Sequence, residues 1–222
     1  CNPAFMQLGQ RIGASTLYKY FKAFGLFEPI GNDISKAYKG QFYELKDMGP
    51  VELATTSFGQ RFEISPLQLI TAVSAICNDG YLVEPKIVKQ IENTDTGSIE
   101  VIETKKVRQV VSKETADKVK NMMLSVVTDG TGRNAKVAGY SIGGKSGTSE
   151  PRANHEEEGY VASFIAASPI ENTQVVILFA LYGLQDYANH QGGQVAAPYV
   201  SQILTEVLPN LGIESTETVK EE

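Results

Sequence analysis

The chain is poor in the residues that build metal centres and disulfide frameworks. Its 222 residues include two cysteines, Cys1 and Cys77, and two histidines, His155 and His190. Two cysteines cannot form a disulfide framework. Neither histidine has a partner at the spacing of a metal-binding motif. The sequence therefore predicts neither a metal site nor a cofactor.

Excess positive charge and long apolar runs are also missing. Lys and Arg number 20 against 26 Asp and Glu, which gives a net charge of −6, so a nucleic-acid role has no electrostatic support. No apolar run approaches the roughly 18 residues of a membrane span. Neither a signal peptide nor a methionine begins the chain, and Cys-Asn-Pro already leads into a helical pattern. We therefore expect the chain to be the interior of a larger protein.

The remaining composition is that of an ordinary globular protein, with 42% hydrophobic and 21% charged residues. This length fits one domain of moderate size or two small ones. From Glu214 onward the sequence is polar, and we expect residues 214–222 to form a disordered tail behind a folded portion over residues 1–213.

Apolar periodicity and capping residues predict an α+β fold, in which helices cover both faces of an antiparallel sheet. Asn2 is suited to cap the first helix, and Ser65 with Pro66 to begin the second. The apolar strand near the C-terminus indicates a sheet covered on both faces. We predict helices over 3–24, 65–78, 112–128 and 194–208, a hairpin over 86–92 and 99–103, strands over 139–149, 160–168 and 173–183, and an irregular connection over 25–52.

One segment, residues 139–149, fits two motifs of different chemistry. As G-x-x-x-x-G-K-[ST], it matches the phosphate-binding P-loop of nucleotide hydrolases. As K-[ST]-G-T, from Lys145 to Thr148, it matches the third motif of penicillin-binding serine transferases. A plain glycine-rich strand without chemistry is a third interpretation.

Local sequence disfavours the P-loop. Its phosphates sit on a helix that begins at the Lys-Ser pair, yet Gly147, Thr148 and Pro151 follow here, and the next residues have no apolar stripe. Glycine and proline oppose a helix at this point. A strand through Tyr140 to Thr148 at a sheet edge, with Lys145 facing a groove, fits better.

The chain resembles the transpeptidase domain of class B penicillin-binding proteins, the division and sporulation type, over about 200 residues. Cys1-Asn2-Pro3-Ala4-Phe5 resembles the continuation of that family's Ser-x-Asn motif. The run from Gly59 to Gly80 and the passage from Gly130 to Thr148 resemble further family segments, in the same order and in register with the predicted elements.

This resemblance implies a peptidoglycan D,D-transpeptidase that acts through an acyl-serine intermediate and binds penicillin covalently. Its implied catalytic residues are Lys145 and Asn2, which should lie close together. The implied substrate-binding residues are Lys145, Ser146, Gly147 and Thr148. The implied partners are a stem peptide ending in D-Ala-D-Ala and β-lactam antibiotics, with division or sporulation proteins reached through the parent protein. Gly143, Gly144 and Gly147 are interpreted as keeping the strand face clear for an extended peptide.

The chain departs from the family in one important respect. It contains no Ser-x-x-Lys, the family's nucleophile motif; Thr16-x-x-Lys19 comes nearest but lies on the wrong side of Asn2. We therefore expect an incomplete, C-terminal portion of the domain, with the nucleophile upstream. The resemblance also implies a parent protein that works on the extracytoplasmic face of the bacterial membrane, held by an upstream transmembrane helix.

Two alternatives remain at this point. A β-lactamase or a β-lactam-sensing receptor domain of the same superfamily could carry the same third motif, although the Gly59–Gly80 segment favours the transpeptidase. P-loop nucleotide hydrolysis is the more remote alternative.

Overall fold

The computed structural model describes residues 2–30, 33, 38, 40–151, 154–185 and 188–215. The chain divides into two compact units. Cys1–Ala75 with Gly80–Ser112 form the first, and Ile76–Asp79 with Lys113–Glu222 form the second. Within the described residues, no helix combines the length and the apolar character that crossing a membrane requires.

The helices of the N-terminal part differ from the prediction at two places. The helix predicted over 3–24 is broken at Gly13, whose φ of 80° is a left-handed conformation that glycine adopts without steric penalty. The prediction of an irregular connection over 25–52 is wrong at its end, because a further helix begins at Pro50. The helices are α1 (Asn2–Ile12), α2 (Ala14–Ala23), α3 (Pro50–Ser57) and α4 (Pro66–Cys77).

The N-terminus of α4 is capped as the sequence predicts. The Ser65 N–H donates to Gln68 Oε1 at 2.9 Å, and the Gln68 N–H donates to Ser65 Oγ at 3.1 Å, which is a reciprocal capping box. Gln68 is fully buried. Its amide nitrogen donates to the carbonyls of Leu26 and Glu28, both at 3.0 Å. One buried side chain therefore joins the start of α4 to the chain that follows α2.

We expect Gln68→Leu to destabilise the protein by about 2–4 kcal/mol, because a leucine of similar size leaves one backbone N–H and two carbonyls without their partner. Urea unfolding of the full-length protein measures this difference. Gln90→Leu, a change of the same type at an exposed position, is the control and should have little effect. Equal losses in the two variants would show that the Gln68 hydrogen bonds contribute nothing specific.

Two small antiparallel pairs complete the first unit. The predicted hairpin is confirmed with shorter strands, β2 (Gln90–Glu92) and β3 (Ile99–Val101), which pair around the turn that contains Asn93. A second pair was not predicted: β1 (Tyr81–Val83) lies against β4 (Lys106–Gln109). These strands are three and four residues long, too short for an alternating pattern to stand out.

The second unit begins with α5 (Lys113–Thr128), the helix predicted over 112–128. A tight turn follows, in which the Gly132 N–H donates to the Val126 carbonyl at 2.9 Å. A Cβ at Gly132 would lie 2.8 Å from the Phe164 ring, so only glycine fits there without displacement. This turn connects α5 to the segment that leads into the sheet with the predicted site.

In the described residues, the sheet of the second unit has three antiparallel strands in the order β5-β6-β7. They confirm the three predicted strands, although the first begins four residues late, at Gly143. The closing helix predicted over 194–208 is confirmed, with an interruption at Ala196. The elements are β5 (Gly143–Ser149), β6 (Tyr160–Ser168), β7 (Val175–Leu184), α6 (Gly192–Val195) and α7 (Ala197–Asn210).

The main core of this unit lies between the sheet and α7. Phe164 and Ala166 of β6 pack in one cluster with Val200 and Leu204 of α7, all essentially inaccessible to solvent. Because neighbouring side chains of a strand point to opposite faces, Ile165 lies on the other face, where it is also buried. β6 is therefore covered on both faces, as its apolar sequence predicts, and the architecture is α+β.

The strand β7 is less well covered than its sequence suggests. Every residue from Val175 to Leu181 is half-buried and none is fully buried. β6 occupies one edge of β7, and no described strand pairs with the other edge. Of the predicted tail, Ser215 donates from its hydroxyl to the Gly139 carbonyl at 3.2 Å, and residues 216–222 lie outside the described residues.

Candidate active site

The predicted site residues Lys145, Ser146, Gly147 and Thr148 all lie on β5, at the edge of the sheet. Lys145 pairs with Ile165 and Thr148 with Ala162 in the ladder with β6. Lys145 lies in the middle of a strand, so no helix begins at the Lys-Ser pair. The P-loop interpretation is therefore wrong, and the predicted edge strand is confirmed from Gly143 onward.

Lys145 is a cation without an acidic partner among the described residues. Its residue surface is exposed, and its Nζ donates to the Ser146 carbonyl at 2.6 Å. Enough protein surrounds the side chain for desolvation to lower the pKa of the Lys145 ammonium from its ordinary value of 10.5. Solvent contact limits this effect, so the lysine keeps its charge at neutral pH. An anion can therefore bind beside β5 without displacing an ion pair.

The Ser146 side chain lies against the turn that precedes the strand. Ser146 Oγ is 3.3 Å from Thr131 Oγ1. The Thr131 carbonyl packs closely against Gly193, because a Cβ on Gly193 would lie 2.1 Å from the Thr131 carbonyl oxygen. Asn134 Nδ2 donates to the Gly193 carbonyl at 2.9 Å. The turn, the strand and the start of α6 are therefore held together around the Ser146 hydroxyl.

The glycines of β5 have a different role from the one predicted. They were interpreted as clearing the strand face for a peptide, but neighbouring protein atoms fill the space beside each. A Cβ would lie 2.5 Å from Ile170 at Gly143, 2.6 Å from the Phe164 ring at Gly144, and 2.6 Å from Ser163 Oγ at Gly147. Close packing inside the unit explains these glycines, so that interpretation is wrong.

Sequence reasoning missed a group of residues behind Thr148. The Gly192 N–H donates to Thr148 Oγ1 at 3.1 Å, and Thr148 Oγ1 lies 3.4 Å from Gln191 Oε1. Gln191 Nε2 is 3.1 Å from His190 Nε2. The Gly-Gly pair was the available signal, because a Cβ at Gly192 would lie 2.4 Å from the Gly147 carbonyl. Such a contact requires the segment to cross directly behind β5.

Asn2, the other predicted catalytic residue, is the first residue of α1 and is exposed. It lies inside the helix instead of capping it, one position from the prediction. Asn2 belongs to the first unit and Lys145 to the second, and their proximity stays a prediction.

The first unit contains a cavity of about 810 Å³, lined in part by Tyr18, Phe27 and Phe42. None of the predicted site residues lines it. Its charged lining residues Glu44 and Lys46 pair with each other at 2.8 Å and are largely exposed. This cavity is therefore not the candidate active site. Among the described residues, no three His, Cys, Asp or Glu side chains converge as metal ligands.

Comparison with known proteins places these features in a family context. The family model of the penicillin binding protein transpeptidase domain matches residues 1–205. Stage V sporulation protein D of Bacillus subtilis is 38% identical over 216 residues, which cover 96% of this chain and 33% of that protein. A probable peptidoglycan D,D-transpeptidase FtsI of Caulobacter vibrioides is 31% identical over 221 residues, which cover 93% of this chain and 36% of that protein.

Solved structures of penicillin-binding proteins also match the chain. The transpeptidase domain of Burkholderia pseudomallei penicillin-binding protein 3 matches with a TM-score of 0.82 and 28% identity, over 98% of this chain and 63% of that one. Penicillin-binding protein 3 of Mycobacterium tuberculosis, complexed with aztreonam, matches with a TM-score of 0.85 and 26% identity, over 96% of this chain and 50% of that one. The chain spans about a third of the length of the curated relatives it matches.

Proposed function

The chain belongs to the penicillin-binding protein transpeptidase family, class B, and on that premise we propose that it is the C-terminal part of a peptidoglycan D,D-transpeptidase. The activity is cross-linking of cell-wall stem peptides through an acyl-serine intermediate, and β-lactams acylate the same serine. One observation carries the proposal: Lys145, Ser146, Gly147 and Thr148 lie on an edge strand of the described sheet, where the exposed lysine has no acidic partner among the described residues.

The strand is suited to hold a substrate carboxylate. A stem peptide ending in D-Ala-D-Ala carries a terminal carboxylate, and a penicillin carries one in the corresponding place. Lys145 supplies the opposite charge, and the hydroxyls of Ser146 and Thr148 donate hydrogen bonds to the carboxylate oxygens. Charge-assisted hydrogen bonds of this kind are about twice as strong as neutral ones. Binding the carboxylate fixes the position of the carbonyl that reacts.

The proposed reaction has two steps. In the first, the serine hydroxyl supplied from outside residues 1–222 attacks the penultimate D-Ala carbonyl, and the C–N bond to the terminal D-Ala breaks as that residue leaves with a proton. In the second, the amine of another stem peptide attacks the acyl-serine ester, forms the cross-linking amide and returns the proton to the serine oxygen. In this proposal the Thr148 backbone N–H stabilises the oxyanion, and Asn2 hydrogen-bonds the substrate amide.

The setting of this activity follows from its substrate. Peptidoglycan lies outside the cytoplasmic membrane, so we place the parent protein on the extracytoplasmic face, held by a transmembrane helix upstream of this chain. Similarity to a protein named for stage V of sporulation supports a sporulation or division role, with proteins of those processes as partners. The parent protein is the form in which each activity test is made.

Labelling with fluorescent penicillin tests the proposed function. The full-length protein is expected to form a stable label that penicillin without the fluorophore blocks. The deacylation rate then distinguishes a transpeptidase from a β-lactamase, because a β-lactamase releases the label within one fast turnover. Rapid release of the label would contradict the transpeptidase proposal, and absence of any label would contradict the family's covalent chemistry in this protein.

We expect the rate constant of penicillin acylation to fall as the pH rises. The fall should begin at a lower pH than it would if Lys145 had the pKa of an ordinary lysine. The protonated form of Lys145 binds the carboxylate, so its contribution is complete below the Lys145 pKa and is lost as the pH rises through it. Desolvation lowers that pKa below 10.5. The measurement is the second-order acylation rate constant between about pH 7 and 10, a range chosen around the ordinary lysine pKa.

Lys145→Arg is the matched control for this pH profile, because a guanidinium remains protonated over the whole range. The alkaline loss of rate should be absent in the arginine variant or should begin at a higher pH. The same alkaline limb in both proteins would assign the titration to another group.

A further inference from the structure

A chain of hydrogen bonds leads from the site strand to a partly enclosed histidine. Thr148 Oγ1 accepts from the Gly192 N–H and lies 3.4 Å from Gln191 Oε1, while Gln191 Nε2 lies 3.1 Å from His190 Nε2. The imidazole stacks on Tyr160 with ring centroids 4.0 Å apart. Within the part of the chain that the structure describes, His190 Nδ1 is buried without a hydrogen-bond partner. The polar connection of this histidine among those residues runs through Gln191 to Thr148.

The donor-to-acceptor direction of these hydrogen bonds decides whether the Thr148 hydroxyl can donate to a ligand. In the orientation described, the Thr148 O–H donates to Gln191 Oε1, and Gln191 Nε2 donates to His190 Nε2. A substrate carboxylate then finds the threonine proton already engaged. In this direction a neutral His190 carries its proton on Nδ1, because Nε2 accepts from the amide.

The opposite direction results from a flip of the Gln191 side-chain amide by about 180°. The flip exchanges the oxygen and nitrogen positions and leaves the shape of the group nearly unchanged. His190 then donates from Nε2 to Gln191 Oε1, and the amide nitrogen donates to Thr148 Oγ1. The Thr148 proton is released and can point at a ligand. The bond given up is long for a hydroxyl donor, at 3.4 Å, so the reversal loses little. A protonated His190 permits only this direction, since both ring nitrogens are then donors.

We propose that His190 and Gln191 are positioning residues that set whether the Thr148 hydroxyl can donate to the substrate carboxylate. This inference rests on the proposed function and adds to it two residues with no predicted role. The reversed direction binds the carboxylate better, so protonation of His190 favours acylation. Neither residue touches the reacting atoms; both act through Thr148.

No charged side chain of the described residues faces the His190 ring. The β6 strand presents Tyr160 to the ring, and the segment before α6 presents Gln191; neither is an acidic or a basic side chain. Among the described residues, no carboxylate or ammonium lies within ion-pair distance of His190. The other histidine differs in this respect, because His155 is exposed and its Nδ1 lies 3.2 Å from Glu157 and 4.0 Å from Glu158. His155 is therefore a matched control.

The test is the pH dependence of penicillin acylation in the full-length protein and three variants. His190→Phe keeps a ring to stack on Tyr160 but has no nitrogen. Gln191→Met keeps the length of an exposed side chain and leaves His190 in place, but has no amide. His155→Gln removes the other imidazole. Each second-order rate constant is measured from pH 5.5 to pH 8, the range in which histidine titrates, and melting curves verify that each variant is folded.

We expect the ratio of the wild-type to the His190→Phe rate constant to rise about threefold to tenfold as the pH falls, the worth of one gained hydrogen bond. Gln191→Met should lose most of this rise although it keeps His190, and His155→Gln should retain all of it. A flat ratio would overturn the proposal, as would a full rise in Gln191→Met or a loss of the rise in His155→Gln. Absence of any acylation in the wild-type protein would instead contradict the proposed function.

Discussion

Replacing Lys145 with alanine in the full-length protein is expected to slow penicillin acylation by about 10-fold to 150-fold. This range corresponds to the roughly 1.5–3 kcal/mol that a hydrogen bond to a charged group contributes. Lys145 has no acidic partner among the described residues and bonds only the Ser146 carbonyl. Its removal therefore breaks no internal ion pair, and the loss falls on ligand binding rather than on folding.

Two further variants show whether this effect belongs to the site. Lys145→Arg should lose much less rate, because the positive charge survives although the ammonium geometry does not. Lys136→Ala removes an exposed lysine in the same unit and should leave the rate unchanged. The measurement is the second-order acylation rate constant. A Lys145→Ala protein that reacts at the wild-type rate would remove Lys145 from the site.

The isolated 222-residue chain is expected to form no penicillin adduct and to cleave no D-Ala-D-Ala peptide. The sequence contains no Ser-x-x-Lys, and without that nucleophile the lysine and hydroxyls of β5 can position a ligand but cannot bond to it. The expected effect is therefore complete loss of activity. Intact-mass measurement after penicillin treatment makes the test, and a stoichiometric adduct would show that the nucleophile lies within residues 1–222.

The same isolated chain is expected to self-associate. One edge of β7 has no described strand partner, and its residues from Val175 to Leu181 are only half-buried. An apolar strand edge of this kind is a site of intermolecular pairing. Sedimentation velocity should show oligomers that become rarer in Tyr182→Lys, which places a charge on β7 at an exposed position. A stable monomer of the unmodified chain would contradict this expectation.

The longer elements could be predicted from the sequence because their local signals agree with their final environment. Ser65 and Pro66 begin α4 as expected, since the capping box depends on residues only three positions apart. The strand carrying Lys145 was distinguished from a P-loop helix by Gly147 and Pro151, which together disfavour a helix that starts at Lys145 and runs through them. Local chemistry decided these cases, so one sequence sufficed.

Other features depend on residues far apart in the chain, and the sequence did not reveal them. Gly144 was assigned to substrate access, but its Cβ space is occupied by Phe164, twenty positions away. The link between Thr148 and Gln191 joins positions 43 apart through a single side-chain contact. The break at Gly13 was missed for another reason, because a glycine within a helical pattern is compatible with both a continuous and a broken helix.

Peptide mapping of the full-length protein after penicillin treatment identifies the acylated residue. We expect one penicilloyl adduct per molecule, on the serine of a Ser-x-x-Lys motif outside residues 1–222, formed more slowly when Lys145 is alanine. An adduct on any residue of this chain, or no adduct on the folded full-length protein, would contradict the claim that β5 serves an acyl-serine transpeptidase.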